Sequence, residues 1–312
     1  MTIKPQIRLA KKSDKDTVLG FCKNTWKDQK DFVLNFWDEW IEESENKLFV
    51  ATLEEVPVAL IKIDFLSNSE TWWKALRVDP NYRSLGISKI LDRFVSEHLA
   101  TNKIKTSRTC VYSNNKIMLD NMSKRNREKL AYYFHYQAPS IDSQQLKLVQ
   151  FNFNNLDLII DQIFTLNTLD SNLRYYTKLI TKFQALTEQL IEKSLREQKI
   201  WGLIKDSKLL AIAIQSDTDV AVNKLFYIGY IDAIDSENLK ILLNELRKLS
   251  YIKGYELVRS IFPDNETFKD NLTFNEYYKP NQTGFWLYEW LNDDGHNFWQ
   301  QQVISQNNML KS

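Results

Sequence analysis

Arg83, Gly86 and Lys89 stand three residues apart at the join between a strand-like run, TWWKALRV, and a helical one that begins at Ile87. The chain of 312 residues has only seven glycines, and its first 200 residues hold two, Gly20 and Gly86. A glycine at the mouth of a helix that follows a strand suits anion binding. The N–H groups of the first helical turn point outward, and the helix dipole adds partial positive charge. Glycine lets the backbone approach the anion with no side chain between them, and Arg83 and Lys89 add charge nearby. The same glycine also reads as an ordinary turn residue at a helix start. Neither GxxxxGK[ST] nor GxGxxG occurs, so neither a nucleotide P-loop nor a dinucleotide fingerprint is indicated.

Other reactive residue types form no constellation. His98, His135 and His296 are scattered, with no HxxxH and no paired cysteines, so no metal site is expected. Cys22 and Cys110 fall on separate elements, which argues against a disulfide framework. Cys22 also lies on a helical apolar stripe and reads as a small core residue. No GxSxG nucleophile elbow is present. Glu70, at the head of TWWKALRV, reads either as a proton acceptor or as a solvated carboxylate at a strand end.

The elements that carry these residues follow from periodicity. Gln6 to Ala10 alternates like a strand, and Ser13 and Asp14 can cap the helix marked by Val18, Phe21, Cys22 and Trp26. A second, aromatic-rich helix spans about Phe32 to Glu43. The period then changes to two: KLFVATLEEVPVALIKIDF gives two strands joined at Leu53-Glu54-Glu55, and TWWKALRV a third that ends at Asp79-Pro80. Ile87, Ile90, Leu91, Phe94, Val95 and Leu99 form one face of a helix. KTSRTCVY is a further strand, leading into a helix from Asn114-Asn115. The order β-α-α-β-β-β-α-β-α gives an α/β (α+β) domain with a mixed sheet.

Composition narrows the partners. With 41 Lys+Arg against 40 Asp+Glu the net charge is +1, which gives no general case for nucleic acid or an anionic membrane surface. KRNREK (Lys124 to Lys129) is the one local basic run, read either as a solvated loop or as a phosphate contact. No apolar run approaches the ~20 residues of a membrane span, and MTIKPQIRLAKKSDKD lacks the apolar core of a secretory signal. A soluble cytoplasmic protein is expected.

LRVDPNYRSLGISKIL resembles motif A of the GNAT acetyltransferase superfamily, [QR]-x-x-G-x-[GA] after a strand with a V-x-P-x-[YW]-R lead-in. Val78, Pro80, Tyr82, Arg83 and Gly86 supply it, with Ser88 where the family usually has Gly or Ala, and the order of elements over residues 6 to 122 matches too. The resemblance implies acetyl-CoA as co-substrate. Its pyrophosphate would be held by backbone N–H groups of Arg83, Ser84, Leu85, Gly86, Ile87, Ser88 and Lys89. Its pantetheine would pair with the main chain of Leu76, Arg77 and Val78. Asn114-Asn115 match the start of the next family motif. Seven residues on from Asn115, where many members carry the tyrosine that protonates the leaving thiolate, stands Met122. Tyr112, Tyr132 and Tyr133 are near, but the motif points to none of them. The family's frequent glutamate base, about eleven residues ahead of Arg83, falls on Trp72; Glu70 lies two residues earlier on the same strand face.

The second half repeats the first. LFVATLEEVPVALIK and WGLIKDSKLLAIAIQ begin 153 positions apart, at Leu48 and Trp201. The same shift carries Trp72 to Leu225 in LFYIGYIDAID, and YSNNKIMLDNM aligns with FPDNETFKDNL at a shift of 150. A nearly constant offset over some 70 residues reads as duplication. Two tandem GNAT-like lobes are expected, each a mixed, mostly antiparallel sheet flanked by helices: 1–153, which binds the coenzyme, and 154–312, a degenerate copy. They join near Asn152 to Asn155, with Leu239 at the repeat position of Gly86. Such a two-lobed chain is similar to the histidine N-acetyltransferase-like group, in which a YIDA-like strand also occurs in the second lobe, here Tyr230 to Ala233. That resemblance implies a small amine or amino acid as acceptor and leaves histidine itself open. A non-catalytic acyl-CoA sensor or scaffold is the alternative, motivated by Met122. Transfer from aminoacyl-tRNA is disfavoured by the charge balance.

Overall fold

The computed structural model describes residues 4–23, 25, 31–125, 127–169, 173–178, 181–216 and 224–292. Trp26, Asn126 and His296, singled out in the sequence, lie outside the described residues. By contacts the chain divides into two units, Met1–Thr109 with Glu289–Ser312, and Cys110–Tyr288.

In the first unit the chain runs through β1 (Gln6–Leu9), α1 (Lys15–Cys22), α2 (Val33–Glu42), β2 (Lys47–Leu53), β3 (Val56–Phe65), β4 (Glu70–Val78), α3 (Ile87–Thr101) and β5 (Thr106–Tyr112). β1, β2, β3 and β4 pair antiparallel in sequence order, and β5 joins β4 in parallel. The β2–β3 hairpin turns on Glu54 and Glu55, both at positive φ (48° and 67°). That is the primed two-residue turn whose twist matches the strands. Alternation sorts β2 onto two cores. Leu48 and Val50 meet α1 and α2 through Val18, Phe21, Trp37 and Trp40. Phe49 and Ala51 meet α3 through Ile87, Leu91, Val95 and Leu99. Each of those four α3 side chains is at most 1% exposed, worth roughly 1.5–3 kcal/mol apiece. The Asp14 carboxylate does not cap α1; it accepts from Arg8 Nη1 at 2.7 Å and from the Lys11 N–H at 2.7 Å.

The chain continues through α4 (Lys116–Lys124), β6 (Glu128–Pro139), β7 (Val149–Phe151), α5 (Leu156–Ile163), β8 (Tyr175–Lys178), β9 (Lys182–Ala185), α6 (Glu188–Arg196), β10 (Ile200–Lys205), β11 (Lys208–Gln215), β12 (Leu225–Ala233), α7 (Ser236–Ile252), β13 (Leu257–Pro263), α8 (Glu266–Phe274) and β14 (Phe285–Leu291). The second unit's sheet has the order β6-β13-β12-β11-β10-β7, antiparallel except for β12 with β13. Its core is built on Leu239, Leu242, Leu243, Leu246 and Leu249 of α7, all fully buried.

Local details repeat along with the elements. The β10–β11 hairpin turns on Asp206 and Ser207 at φ 50° and 60°, as β2–β3 does on Glu54 and Glu55. Asn265 caps α8 by accepting from the Phe268 N–H at 2.9 Å, as Asn115 caps α4 by accepting from Met118 at 3.2 Å. Asn152 to Asn155 forms a capped 3-10 turn between β7 and α5. By order in the chain, β6 would close the first expected lobe and β14 the second. Yet β6 pairs with β13, and the last residues of β14, Glu289–Leu291, belong to the first unit. The contact units are therefore not the sequence repeats.

Candidate active site

The loop from β4 to α3 is built residue by residue. Pro80 opens a 3-10 turn over Pro80–Tyr82, and the Asp79 carboxylate accepts from the Asn81 N–H at 2.9 Å. Arg83 Nε donates to the Val78 carbonyl at 3.3 Å. Ser84 and Gly86 both adopt positive φ, 65° and 76°. Gly86 is the N-cap of α3, and its carbonyl receives the first helical bonds, from Lys89 N–H at 3.0 Å and Ile90 N–H at 3.1 Å. The amides of Ile87 and Ser88 precede that ladder. Ile87 itself is buried in the α3 core, which fixes the helix start, while Arg83 to Gly86 and Lys89 are exposed.

A Cβ built on Gly86 would meet nothing within 4 Å. Backbone angle, not crowding, therefore requires the glycine, and the surface over it is bare main chain facing open space. An alternation of conformations at the start of a 15-residue helix is backbone geometry that suits an anion. A pyrophosphate fits its chemistry, with the Arg83 and Lys89 side chains at hand.

Below the loop β4 leaves β5. Their parallel ladder holds only Glu70–Trp72 against Thr106–Arg108, whereas β4 runs on to Val78. Thr109 Oγ1 donates to the Trp73 carbonyl at 2.8 Å just past the fork. Ala75, at φ 57°, bulges β4 against β3, where the register shifts between Leu60 and Lys62. Leu76 and Val78 pack toward the α3 core. The Arg77 side chain turns the other way, into a two-pronged ion pair with Asp31.

Glu70 lies in the closed part of the fork and is 8% exposed. Its Oε1 accepts from Arg108 Nη1 at 3.0 Å, and Arg108 Nε donates to Glu289 Oε2 at 2.5 Å. Asn114, Asn115 and Met122 belong to the second unit. Asn114 is exposed, and the Asn115 side chain is spent on its cap. Met122 is buried in a cluster with Val111 and Tyr288, and a thioether has no proton to give. KRNREK is solvated only in part: Lys124, Glu128 and Lys129 are exposed, and the two arginines are not. Arg125 and Arg127 are 8% and 6% exposed, Lys124 pairs with Asp120 at 2.6 Å, and Lys129 Nζ stands 3.4 Å over the Trp286 ring. Burial pushes the Cys22 thiol up to about 12, with Asp31 adding to it, and raises Cys110 well above its ordinary value. Both are held as neutral thiols at neutral pH. Among the described residues no group of three His, Cys, Asp or Glu could hold a metal ion.

One feature escaped the sequence. Lys62 is fully buried and pairs with Glu43, Lys74 Nζ meets Asp64 Oδ2 at 2.8 Å, and the lysine nitrogens stand 5.7 and 4.9 Å from the Trp40 ring. Lys62 and Asp64 inside an otherwise apolar strand were its only trace.

Residues 14–121 match the sequence profile of the Acetyltransferase (GNAT) family. The fold is that of the GNAT acetyltransferases. A GCN5-related N-acetyltransferase from Sphaerobacter thermophilus is similar over 92% of this chain and 96% of its own, with TM-score 0.58 and 11% identity. A GNAT-family acetyltransferase from Colwellia psychrerythraea matches over 91% and 99%, with TM-score 0.51 and 11% identity. A tandem GNAT protein from the clavulanic acid biosynthesis pathway matches over 93% and 99%, with TM-score 0.52 and 11% identity. No curated protein matches this chain in sequence. The GNAT profile ends just before Met122, so it covers the loop of Arg83 to Lys89 and the fork of β4 and β5. No described helix is long and apolar enough to cross a membrane.

Proposed function

We propose that the first repeat, 1–153, moves an acetyl group from acetyl-CoA to the primary amine of a small molecule, with free amino acids as first candidates. The observation that carries this reading is Gly86: left-handed, exposed, at the N-terminus of α3, and inside the span matched by the GNAT profile. In this reading the loop from Arg83 to Lys89 holds the pyrophosphate, through main-chain amides between Ser84 and Ile87 and the charges of Arg83 and Lys89, and the main chain of Leu76 to Val78 takes the pantetheine. Arg83 then exchanges its bond to the Val78 carbonyl for the phosphate. The amine attacks the thioester carbonyl, the C–S bond breaks, and the thiolate leaves. Met122 offers it no proton, so water supplies one. Positioning of the two reactants provides most of the rate. Glu70 enters as a clamp between β4 and β5, since its carboxylate is held by Arg108; the amine's proton passes to water.

Calorimetry with acetyl-CoA tests the loop. Gly86→Glu brings a carboxylate and a strained side chain to the anion site and should abolish binding in a folded protein; unchanged affinity would remove the loop from this reading. A panel of amines and amino acids then tests the chemistry, with turnover rising with pH as the amine loses its proton. The buried Met122 favours one second reading, a coenzyme-binding sensor without catalysis, which holds if acetyl-CoA binds and no acceptor reacts.

A further inference from the structure

Both repeats build the same fork. β12 runs parallel to β13 for three pairs, Leu225–Tyr227 with Leu257–Arg259, and then continues over Ile228–Ala233. β4 does the same beside β5 over Trp73–Val78. In the second repeat the fork is filled by the chain itself. Thr177 Oγ1 on β8 donates to the Gly229 carbonyl at 3.1 Å. A Cβ on Gly229 would stand 2.6 Å from the Thr177 carbonyl oxygen and 2.6 Å from the Tyr176 ring, so the glycine is the seat on which the β8–β9 hairpin rests. The segment leading to the hairpin is tied to the end of β12. The Ala233 carbonyl accepts from Asn167 N–H at 3.0 Å and Thr168 N–H at 3.1 Å, and Asp232 Oδ1 accepts from Thr168 Oγ1 at 2.7 Å.

The helix that follows is sealed in the same manner. Eight residues, Asp79 to Gly86, separate β4 from α3, but only Ile234 and Asp235 separate β12 from α7. The residue in Gly86's structural place is therefore Asp235, the N-cap, and not Leu239, which lies buried within α7; a constant sequence offset fails where the loop is shorter. The Asp235 carboxylate accepts from the Asn238 N–H at 2.8 Å, so the first turn of α7 carries its own anion.

We propose that the β8–β9 hairpin and Asp235 are built-in occupants of the second repeat's fork and helix mouth, standing where the first repeat would hold the arm and phosphate of a coenzyme. This rests on the function proposed for the first repeat. The hairpin is a separately seated element, and the second repeat binds no coenzyme while it is in place.

Hydrogen exchange on the full chain separates a seated occupant from an ordinary part of the core. Gly229→Ala drives a methyl into Thr177 and Tyr176. Amides of Tyr175–Lys178 and Lys182–Ala185 should then exchange at least tenfold faster, while those of Leu239–Leu249 keep their wild-type rates. Hairpin and α7 accelerating together, or a hairpin that does not accelerate, would overturn the proposal. Should Gly229→Ala fail to fold, Thr177→Val removes the hydroxyl that bonds Gly229 and meets the Tyr227 hydroxyl, with no added bulk. It should give a smaller rise of several-fold confined to the hairpin, and a uniform or absent rise overturns the proposal equally. Acetyl-CoA titration of the wild type adds an independent arm: one site per chain is expected, and two would show that the second fork is open. No binding at all would instead refute the reading of the first repeat, and the exchange result would still stand.

Discussion

Asp31 holds Arg77 in a buried two-pronged ion pair: Nε donates to Oδ2 at 2.5 Å and Nη2 to Oδ1 at 3.1 Å. The same Oδ1 accepts from the Val33 N–H at 3.1 Å, at the start of α2. The Asp31 side chain is 0% and that of Arg77 10% exposed, and the guanidinium lies 5.2 Å from the Phe32 ring. The pair thus ties α2 to β4 on the face opposite α3.

Removing one partner of this pair should cost stability before it costs coenzyme affinity. Asp31→Ala removes both prongs of the pair, leaves Arg77 its bond to the Leu76 carbonyl, and should destabilise by roughly 3–5 kcal/mol. Arg77→Lys keeps the charge but loses the fork geometry and the stacking, and should cost less. Thermal melts read the first quantity and acetyl-CoA calorimetry the second. A loss of affinity with an unchanged melting temperature would show that the Arg77 side chain serves the coenzyme.

Glu70 gives a second test of use against position. Glu70→Gln removes the charge that Arg108 faces across the β4–β5 ladder but leaves Arg108 its bond to Glu289. A loss of about 1–3 kcal/mol is expected for a buried charged hydrogen bond, with turnover per folded molecule unchanged. A fall in turnover by roughly 10²–10⁴-fold at constant stability would instead make Glu70 the proton acceptor.

The elements were legible wherever local spacing carries the signal. The period of two in β2, β3 and β4, the apolar face of α3 and the Asn115 cap all follow from short-range sterics and burial. The paired hairpins carry the expectation of a duplication for the same reason. The bulge at Ala75 and the left-handed Ser84 left no mark, since neither residue type favours positive φ. Arg125 and Arg127 looked solvated because charge alone says nothing about burial. The placement of β6 beside β13 and of Glu289–Leu291 in the first unit rests on non-local pairing, which no local pattern encodes. Leu239 was misplaced because an offset cannot register a loop six residues shorter.

The first unit takes part of its chain, Glu289–Leu291 of β14 included, from far along the sequence. Trp290 of β14 is 6% exposed and sits edge-on to Trp73, with ring centroids 5.1 Å apart at 78°. Asn292 Nδ2 donates to the Ile104 carbonyl at 2.8 Å, and its Oδ1 accepts from Ser107 at 2.8 Å. Trp290→Ala should cost about 3–5 kcal/mol. A fragment of residues 1–153, which has no β14, should show no cooperative melting transition by circular dichroism. A stable, coenzyme-binding fragment would show that β14 is dispensable to the first repeat.

The last prediction concerns acid stability and His135 on β6. Burial, and then the charge of Arg259, push its imidazole down to about 4, and its Nδ1 has no hydrogen-bond partner. Unfolded, the same ring titrates near its ordinary value of 6.5. Between these two values the unfolded chain binds the proton more tightly, so protonation favours unfolding and stability rises with pH. His135 should therefore contribute nothing to the pH dependence above about 6.5 and should cost roughly 2 kcal/mol between pH 7 and pH 5, from the size of the shift. His135→Phe keeps the ring that faces Phe285 at 5.5 Å and removes the titration. Denaturant melts at the two pH values should show the variant losing about 2 kcal/mol less than the wild type on acidification. Equal losses would place the imidazole's proton affinity in the folded chain at its unfolded value, and would mean that water or a carboxylate reaches the ring.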